Sequence, residues 1–364
     1  MSAESGDDLT PASVITGFLG SGKTTLLNRL LKHPDMAETA VVINEFGEIG
    51  IDNLLVEQAD DEIVVMDSGC LCCTVRGDLV DTLRRLWVRR KQGEVPAFRR
   101  LVIETTGLAD PAPILHTLMS DPFLIHHYRL DGVIATVDAV NGADTLDRQM
   151  ESVKQAAVAD RLVLTKADAA TEEGLETLQR RLQALNPAAP LHRAAHGEIA
   201  PALLFDAGLF NPESKSPDVR RWLREEAYAD AHDHDHDHGG GGHGHDVNRH
   251  DASIRAFCVH LDEPLPWENL ATWLELLSAY RGPDLLRIKG VLNVSESETP
   301  VVVHGVQHMF HPPVQLEAWP DEDRRSRIVF ITRNMSQQVV EDMLFSLIGR
   351  AGTQRAIDIA AQDL

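Results

Sequence analysis

The chain has 364 residues, 43% hydrophobic and 25% charged, a composition typical of a soluble protein with more than one globular domain. Its formal net charge of -22 repels phosphate backbones and anionic lipids, so we expect neither nucleic acid nor a membrane as a partner. No run approaches the ~20 apolar residues of a membrane helix, and residues 1–10 do not resemble a leader peptide. The predicted location is the cytoplasm.

Short apolar runs alternate with longer amphipathic segments through residues 1–210. The predicted strands are Ser13–Thr16, Ala40–Asn44, Ile63–Met66, Leu101–Glu104, Val133–Val137 and Leu162–Thr165. Such short, largely β-branched runs are typical of buried parallel strands. The alternation predicts an α/β domain with a doubly wound, mostly parallel sheet.

The composition changes near residue 211. Residues 211–252 are polar and rich in histidine, aspartate and glycine, which predicts a disordered linker. Residues 253–350 then show strand and helix patterns that predict a smaller α+β domain, and residues 351–364 form a C-terminal tail.

The segment Gly17–Thr24 fits the pattern G-x-x-x-x-G-K-[ST] in full, between an apolar strand and a helical run. Glycines at these positions let backbone N–H groups approach phosphates, and the helix N-terminus adds partial positive charge. We expect Lys23 to contact the β- and γ-phosphates as a catalytic residue and Thr24 to bind Mg²⁺. The predicted phosphate-binding residues are Gly17, Gly20, Ser21, Gly22, Lys23, Thr24 and Thr25.

The strand Leu101–Glu104 ends in a carboxylate, and a glycine follows at position 107. A carboxylate at this edge of the sheet can hold the Mg²⁺ shell, and the Gly107 amide can sense the γ-phosphate. We therefore predict Glu104 as a Mg²⁺-binding and catalytic residue. The alternative is an ordinary polar strand end.

The strand Leu162–Thr165 ends at the first residue of the segment Thr-Lys-Ala-Asp, which spans Thr165–Asp168. The Asp168 carboxylate can accept hydrogen bonds from N1–H and N2–H₂ of guanine, a donor pair that adenine lacks. Thr165 stands where the commoner motif has Asn, which we expect to weaken one hydrogen bond that braces the loop, and Lys166 can lie along the base. The sequence thus predicts GTP, and residues 195–197 are an open candidate for backbone contacts to the base.

Three of the four cysteines, Cys70, Cys72 and Cys73, lie within four residues. Thiolates bind zinc and related ions strongly. Successive side chains in an extended backbone point opposite ways, so further ligands must come from elsewhere. Buried structural cysteines and a redox pair remain alternatives.

The segment Asn44–Asp52 follows the second strand, where P-loop GTPases place their first switch. Its carboxylates, among them Glu45 and Asp52, can serve Mg²⁺, the attacking water or a second metal. The alternative is a solvated acidic loop.

A second set of candidate metal ligands lies in the linker. These histidines are His232, His234, His236, His238, His243 and His245. Neutral imidazoles bind Zn, Ni, Co and Cu, so the tract would act as a weak, fast-exchanging reservoir. The alternative is a spacer without a metal role.

Taken together, these motifs resemble the CobW-like GTPases, often described as metallochaperones. The resemblance lies in Gly17–Thr25, Asn44–Asp52, Gly69–Cys73, Glu104–Pro111 and Thr165–Asp168, and it extends over the linker and the C-terminal domain. It implies slow GTP hydrolysis, metal bound by the Cys-x-Cys-Cys thiolates and transfer to a client metalloprotein. It implies zinc or cobalt without deciding between them.

The leading hypothesis is thus a GTP-driven chaperone for a transition metal, with zinc as the first choice, GTP and Mg²⁺ as cofactors and a homodimer left open. The alternatives are a cobalt or iron chaperone for clients of the cobalamin or nitrile hydratase type, a small-molecule kinase with an incidental thiol cluster, and a passive metal buffer. A kinase would need lid arginines that the sequence does not identify, and a buffer leaves the complete P-loop unexplained.

Overall fold

The computed structural model describes residues 9–44, 63–65, 71–74, 78–205 and 253–347. These residues fall into two compact units, one ending at residue 205 and the other beginning at residue 253. No described helix is long and apolar enough to cross a membrane. The predicted domain boundaries and the tail stay predictions, and the linker 211–252 lies outside the described residues.

One eight-stranded sheet forms the centre of the first unit. Its strands are β1 Thr10–Gly17, β2 Thr39–Asn44, β3 Ile63–Val65, β4 Leu71–Thr74, β5 Arg100–Thr105, β6 Tyr128–Asp138, β7 Arg161–Thr165 and β8 Leu191–Arg193. The strand order is β3-β4-β2-β5-β1-β6-β7-β8. The strands that follow β1 in the chain lie on both sides of it in the sheet, which confirms the predicted doubly wound topology.

Helices connect the parallel strands of this sheet. They are α1 Lys23–Leu30, α2 Leu79–Gln92, α3 Ala112–Ser120, α4 Gly142–Arg148, α5 Met150–Val158 and α6 Glu172–Leu185. A continuous core joins α1 to the sheet, with Ile15, Leu26, Val102, Ile134 and Val163 almost fully buried. Strands buried on both faces explain why the sequence shows continuous apolar runs instead of alternation.

The strand β3 corrects one prediction. We placed Ile63–Met66 among runs typical of parallel strands, but β3 pairs antiparallel with β4. The physical reason is the short connection, because residues 66–70 cannot supply the dozen or more residues of a parallel crossover. The sequence analysis also missed β4, which contains Cys72 and Cys73 and runs parallel to β2.

The second unit contains a separate antiparallel sheet. Its elements are β9 Ile254–Leu261, α7 Trp267–Arg281, β10 Leu285–Leu292, β11 Val301–Val306, β12 Met309–Phe310, β13 Val314–Gln315, β14 Ser326–Arg333 and α8 Gln337–Leu347. The strand order is β12-β11-β10-β14-β9, and β13 also pairs with β11. Trp273 and Leu277 of α7 and Leu344 of α8 share one core with Phe257 and Phe330 of the sheet. The predicted α+β class of this unit is confirmed.

Candidate nucleotide and metal site

The P-loop runs from the end of β1 into α1, as its sequence pattern predicts. Gly17 has a φ of +141°, and a Cβ added there would lie 2.3 Å from Thr136 Oγ1 and 2.5 Å from Thr136 O. No other residue fits, because an L side chain is both strained at this φ and blocked by β6. The glycine thus lets the loop turn tightly above the sheet.

The predicted phosphate-binding lysine lies inside this loop. Lys23 is 8% exposed, and its Nζ donates to Gly17 O at 2.9 Å and to Phe18 O at 3.3 Å. Ser21 Oγ is 2.7 Å from Thr136 Oγ1, which ties the loop to β6. The fold therefore places a desolvated ammonium group beside the loop backbone, where it can meet phosphate oxygens.

The two predicted Mg²⁺ ligands lie together at the same edge. Thr24 Oγ1 donates a hydrogen bond to Glu104 Oε1 at 2.6 Å, although 80 residues separate them in the sequence. Glu104 is only 4% exposed, whereas Thr24 is exposed. A hydroxyl and a carboxylate in contact are the hard oxygen donors that Mg²⁺ prefers, so the donor set fits this ion.

Gly107 lies directly against the P-loop. A Cβ added at Gly107 would lie 2.7 Å from Leu19 N and 2.8 Å from Leu19 Cα. Contacts below 3.0 Å with backbone atoms cannot be relieved by a side-chain rotation, so the close approach requires glycine. The structure thus brings the loop after β5 into contact with the P-loop, and the role of Gly107 toward the γ-phosphate stays a prediction.

The predicted base-binding loop lies at the end of β7. Asp168 Oδ1 accepts the His196 backbone N–H at 3.1 Å, and this hydrogen bond is the main cause that holds the Asp168 pKa below its ordinary value. The His196 ring nitrogen Nδ1 is 3.4 Å from Asp168 Oδ2. His196 therefore lies beside Asp168, and the Asp168 carboxylate stays ionised at neutral pH.

Thr165 braces this loop against the P-loop more directly than we expected. Its Oγ1 donates to Ser21 O at 2.6 Å, so a hydroxyl makes the link in a motif that more often has asparagine. Thr165 is 3% exposed. The threonine therefore retains a hydrogen bond between the base loop and the phosphate loop.

A neighbouring carboxylate, Asp138 at the end of β6, was missed by the sequence analysis. Its Oδ2 accepts Lys166 Nζ at 2.7 Å, and its Oδ1 accepts the backbone N–H groups of Val140 and Asn141. Burial raises the pKa of Asp138, but the hydrogen bonds from Lys166 and Asn141 outweigh it and hold the pKa below its ordinary value. A signal was present, because Asp138 follows an apolar strand just as Glu104 does.

The strand β4 carries two of the predicted thiol ligands toward the nucleotide edge. Cys72 is in register with Val41 of β2 and Cys73 with Val42. The next residue, Thr74, pairs with Ile43, which pairs in turn with Glu104. Since neighbouring strands lie ~4.8 Å apart, the backbone at Thr74 is roughly 10 Å from that at Glu104.

The remaining predicted ligands lie outside the described residues. They are Glu45, Asp52, Cys70, His232, His234, His236, His238, His243 and His245. Within the described part of the chain, no group of three or more His, Cys, Asp or Glu residues is placed to hold a metal ion. The metal-site predictions therefore stay predictions.

The doubly wound sheet and its phosphate loop, with a base loop ending in Asp168, define a P-loop nucleotide-binding protein of the GTPase class. Residues 11–193 match the family model described as CobW/HypB/UreG, nucleotide-binding domain. Residues 254–348 match the cobalamin synthesis protein cobW C-terminal domain. The chain belongs to this family, and the resemblance drawn from its motifs is confirmed.

Known relatives span nearly the whole chain. It is 33% identical to a protein named zinc chaperone YjiA from Escherichia coli over 328 residues, which are 90% of this chain and 95% of the relative. It is 30% identical to a zinc chaperone CobW from Pseudomonas aeruginosa over 367 residues, with 92% and 90% covered. The crystal structure of Zn(II)-bound YjiA GTPase from Escherichia coli is similar with a TM-score of 0.69 and 31% identity, covering 93% of this chain and 99% of that one.

Proposed function

We propose that this protein is a GTP-hydrolysing metallochaperone that binds zinc at its Cys-x-Cys-Cys segment and delivers it to a client protein under the control of GTP. The observation that carries the proposal is the register of the sheet. It brings the strand with Cys72 and Cys73 within two strands of Glu104, beside the phosphate loop.

Nucleotide binding is assigned to the loops at the carboxyl ends of the parallel strands. Lys23 would meet the β- and γ-phosphates, Gly107 would meet the γ-phosphate, and Asp168 would bind guanine with Lys166 along the base. Asp138 holds the Lys166 ammonium at 2.7 Å, so it would fix the lysine stem beside the base.

Hydrolysis depends on charge stabilisation at the transferred phosphoryl group more than on covalent chemistry. Thr24 and Glu104 would hold Mg²⁺, which when bound neutralises charge on the phosphate oxygens. Lys23 adds a desolvated cation from the loop, where electrostatic interactions are stronger than in water. We assign the role of orienting the attacking water to Glu45 or Glu104.

The metal is the cargo of this protein. The names of the relatives described above specify zinc. None of these relatives is named as a cobalt chaperone, an iron chaperone or a kinase. We assign zinc to the thiolates of Cys70, Cys72 and Cys73, with Glu45 or Asp52 completing the shell. A client metalloprotein is the proposed partner, and a homodimer remains an open alternative.

Release of zinc on hydrolysis tests the proposal directly. The zinc-loaded protein is mixed with Mg-GTP and a chromogenic chelator, and zinc transfer and phosphate release are followed together. We expect zinc transfer to follow phosphate release with GTP and to be slow with a non-hydrolysable analogue. Equal transfer rates with both nucleotides would contradict control by GTP.

The substitution Asp168→Asn should weaken GTP binding by more than about tenfold, because a charged acceptor of two hydrogen bonds is lost. It should also reduce the preference for GTP over xanthosine triphosphate. Competition titration with both nucleotides measures the change. Asp144→Asn is the matched control, since Asp144 is an exposed residue of α4 that pairs with Arg148 on the same helix. Retained guanine selectivity in Asp168→Asn would place base recognition elsewhere.

Replacing residues 232–250 with a Gly/Ser linker of equal length should lower the number of zinc ions bound and leave GTP turnover within about twofold. The predicted linker lies outside both predicted domains, so we expect its replacement to remove no core packing. Zinc stoichiometry at saturation and steady-state GTP hydrolysis are the measurements. An unchanged stoichiometry would reject the reservoir hypothesis.

A further inference from the structure

The loop that follows β5 is held from one side by helix α5. Gln155 of α5 is 1% exposed, and its Nε2 donates to Gly107 O at 3.3 Å and to Ala109 O at 3.0 Å. The preceding residue, Lys154, forms an ion pair with Asp110 at 3.0 Å. Lys154 and Gln155 of α5 thus contact three of the four loop residues 107–110.

The other side of the same loop touches the P-loop. A methyl group added at Gly107 would lie 2.7 Å from Leu19 N, so the two backbones are in close contact. Asp110 also accepts the Ala112 N–H at 3.0 Å, which fixes the start of α3. The loop backbone between Glu104 and α3 is therefore held between α5 and the phosphate loop.

The environment of Gln155 indicates that its donors matter. Its Oε1 is buried without a hydrogen-bond partner among the described residues. A buried acceptor without a donor reduces the free energy of unfolding. An apolar side chain of similar size would avoid this cost at position 155. The two hydrogen bonds to the loop carbonyls are the contacts that an apolar replacement would lose.

We propose that Gln155 is a positioning residue that sets the distance between the Gly107 amide and the γ-phosphate, with Lys154 in a supporting role. The inference rests on the proposed function, in which Gly107 senses that phosphate. GTP and GDP differ only in the γ-phosphate, so a shift of this loop changes the affinity for GTP and the turnover number. It leaves the affinity for GDP nearly unchanged, because the contacts of Lys23 and Asp168 are retained.

The test uses the full-length variant Gln155→Met, which keeps the side-chain length and removes both amide donors. We expect the ratio of affinities for a non-hydrolysable GTP analogue and for GDP, measured with Mg²⁺, to fall by about 3- to 10-fold, roughly the effect of one lost hydrogen bond. The turnover number for GTP should fall by a larger factor than KM changes. Lys154→Met, which alters a half-buried side chain, should change the same ratio in the same direction.

Asn186→Leu is the matched control. The Asn186 side chain is 2% exposed and donates to the carbonyls of Ala156, Ala157 and Ala159, at the C-terminal end of α5. Its substitution removes three buried hydrogen bonds near α5, so it should lower thermal stability and leave the affinity ratio unchanged. An equal change of ratio in both variants would overturn the positioning role, as would a ratio within twofold of the wild-type value in Gln155→Met and Lys154→Met.

Gly107→Ala separates this inference from the proposed function on which it rests. The added methyl group would meet the Leu19 backbone, so the affinity ratio should fall. A changed ratio in Gly107→Ala with no change in Gln155→Met would reject only the role of Gln155. An unchanged ratio in Gly107→Ala would reject Gly107 as the γ-phosphate sensor.

Discussion

The substitution Lys23→Ala is expected to abolish GTP hydrolysis. Lys23 Nζ lies within hydrogen-bonding distance of the P-loop carbonyls of Gly17 and Phe18, and the residue is 8% exposed. Because the Lys23 ammonium is buried, where the local dielectric constant is low, its charge interacts strongly with a bound triphosphate. An alanine methyl group carries no charge, so the stabilisation of the transferred phosphoryl group is lost with the ammonium.

Single-turnover phosphate release from the purified variant measures this loss, and nucleotide affinity is determined separately. Lys23→Met retains most of the side-chain stem and distinguishes loss of charge from loss of packing. Lys32→Ala is the control, because Lys32 is an exposed lysine just beyond the end of α1. Turnover in Lys23→Ala equal to that of the wild type would reject the assignment of the P-loop.

The double substitution Cys72→Ser/Cys73→Ser should remove the tightest zinc binding. Serine is close to cysteine in size, but its hydroxyl is a much weaker zinc ligand than a thiolate. In the intact protein the zinc affinity should be higher with a GTP analogue than with GDP. A coupling on the order of 1–3 kcal/mol corresponds to roughly 5- to 150-fold in affinity.

We propose that the sheet provides the structural route for this coupling. The strand β4 pairs with β2, whose last residue Asn44 opens the acidic switch-like segment and pairs with Thr105. A γ-phosphate that orders this segment would bring Glu45 toward the thiolates, and loss of the phosphate would let the shell open. By reciprocity, zinc should strengthen GTP binding by the same factor.

Chelator competition at fixed pH, with zinc and with cobalt, measures the metal affinity in each nucleotide state. Cys258→Ala is the matched control, because Cys258 lies in β9 of the other unit and is 7% exposed. Equal affinities with the GTP analogue and GDP would contradict the coupling. An affinity unchanged by the double substitution would contradict the thiol site itself.

The sequence by itself determined the features that depend on local chain geometry. The glycines and lysine of Gly17–Thr24, the carboxylate at the end of the strand Leu101–Glu104 and the segment Thr165–Asp168 were each identifiable because their spacing reflects one strand end and one turn. The order of apolar and amphipathic segments also determined the fold class, since parallel strands need helical crossovers between them. These features required no knowledge of distant contacts.

Only the tertiary structure decided how these segments meet. The antiparallel direction of β3 and the strand β4 through Cys72 and Cys73 depend on pairing across the sheet, which short apolar runs do not specify. The contact of Thr24 with Glu104 spans 80 residues and that of Gln155 with Gly107 spans 48. Contacts between segments so far apart leave no periodic signal in the sequence, because their spacing is set by packing and not by the local backbone.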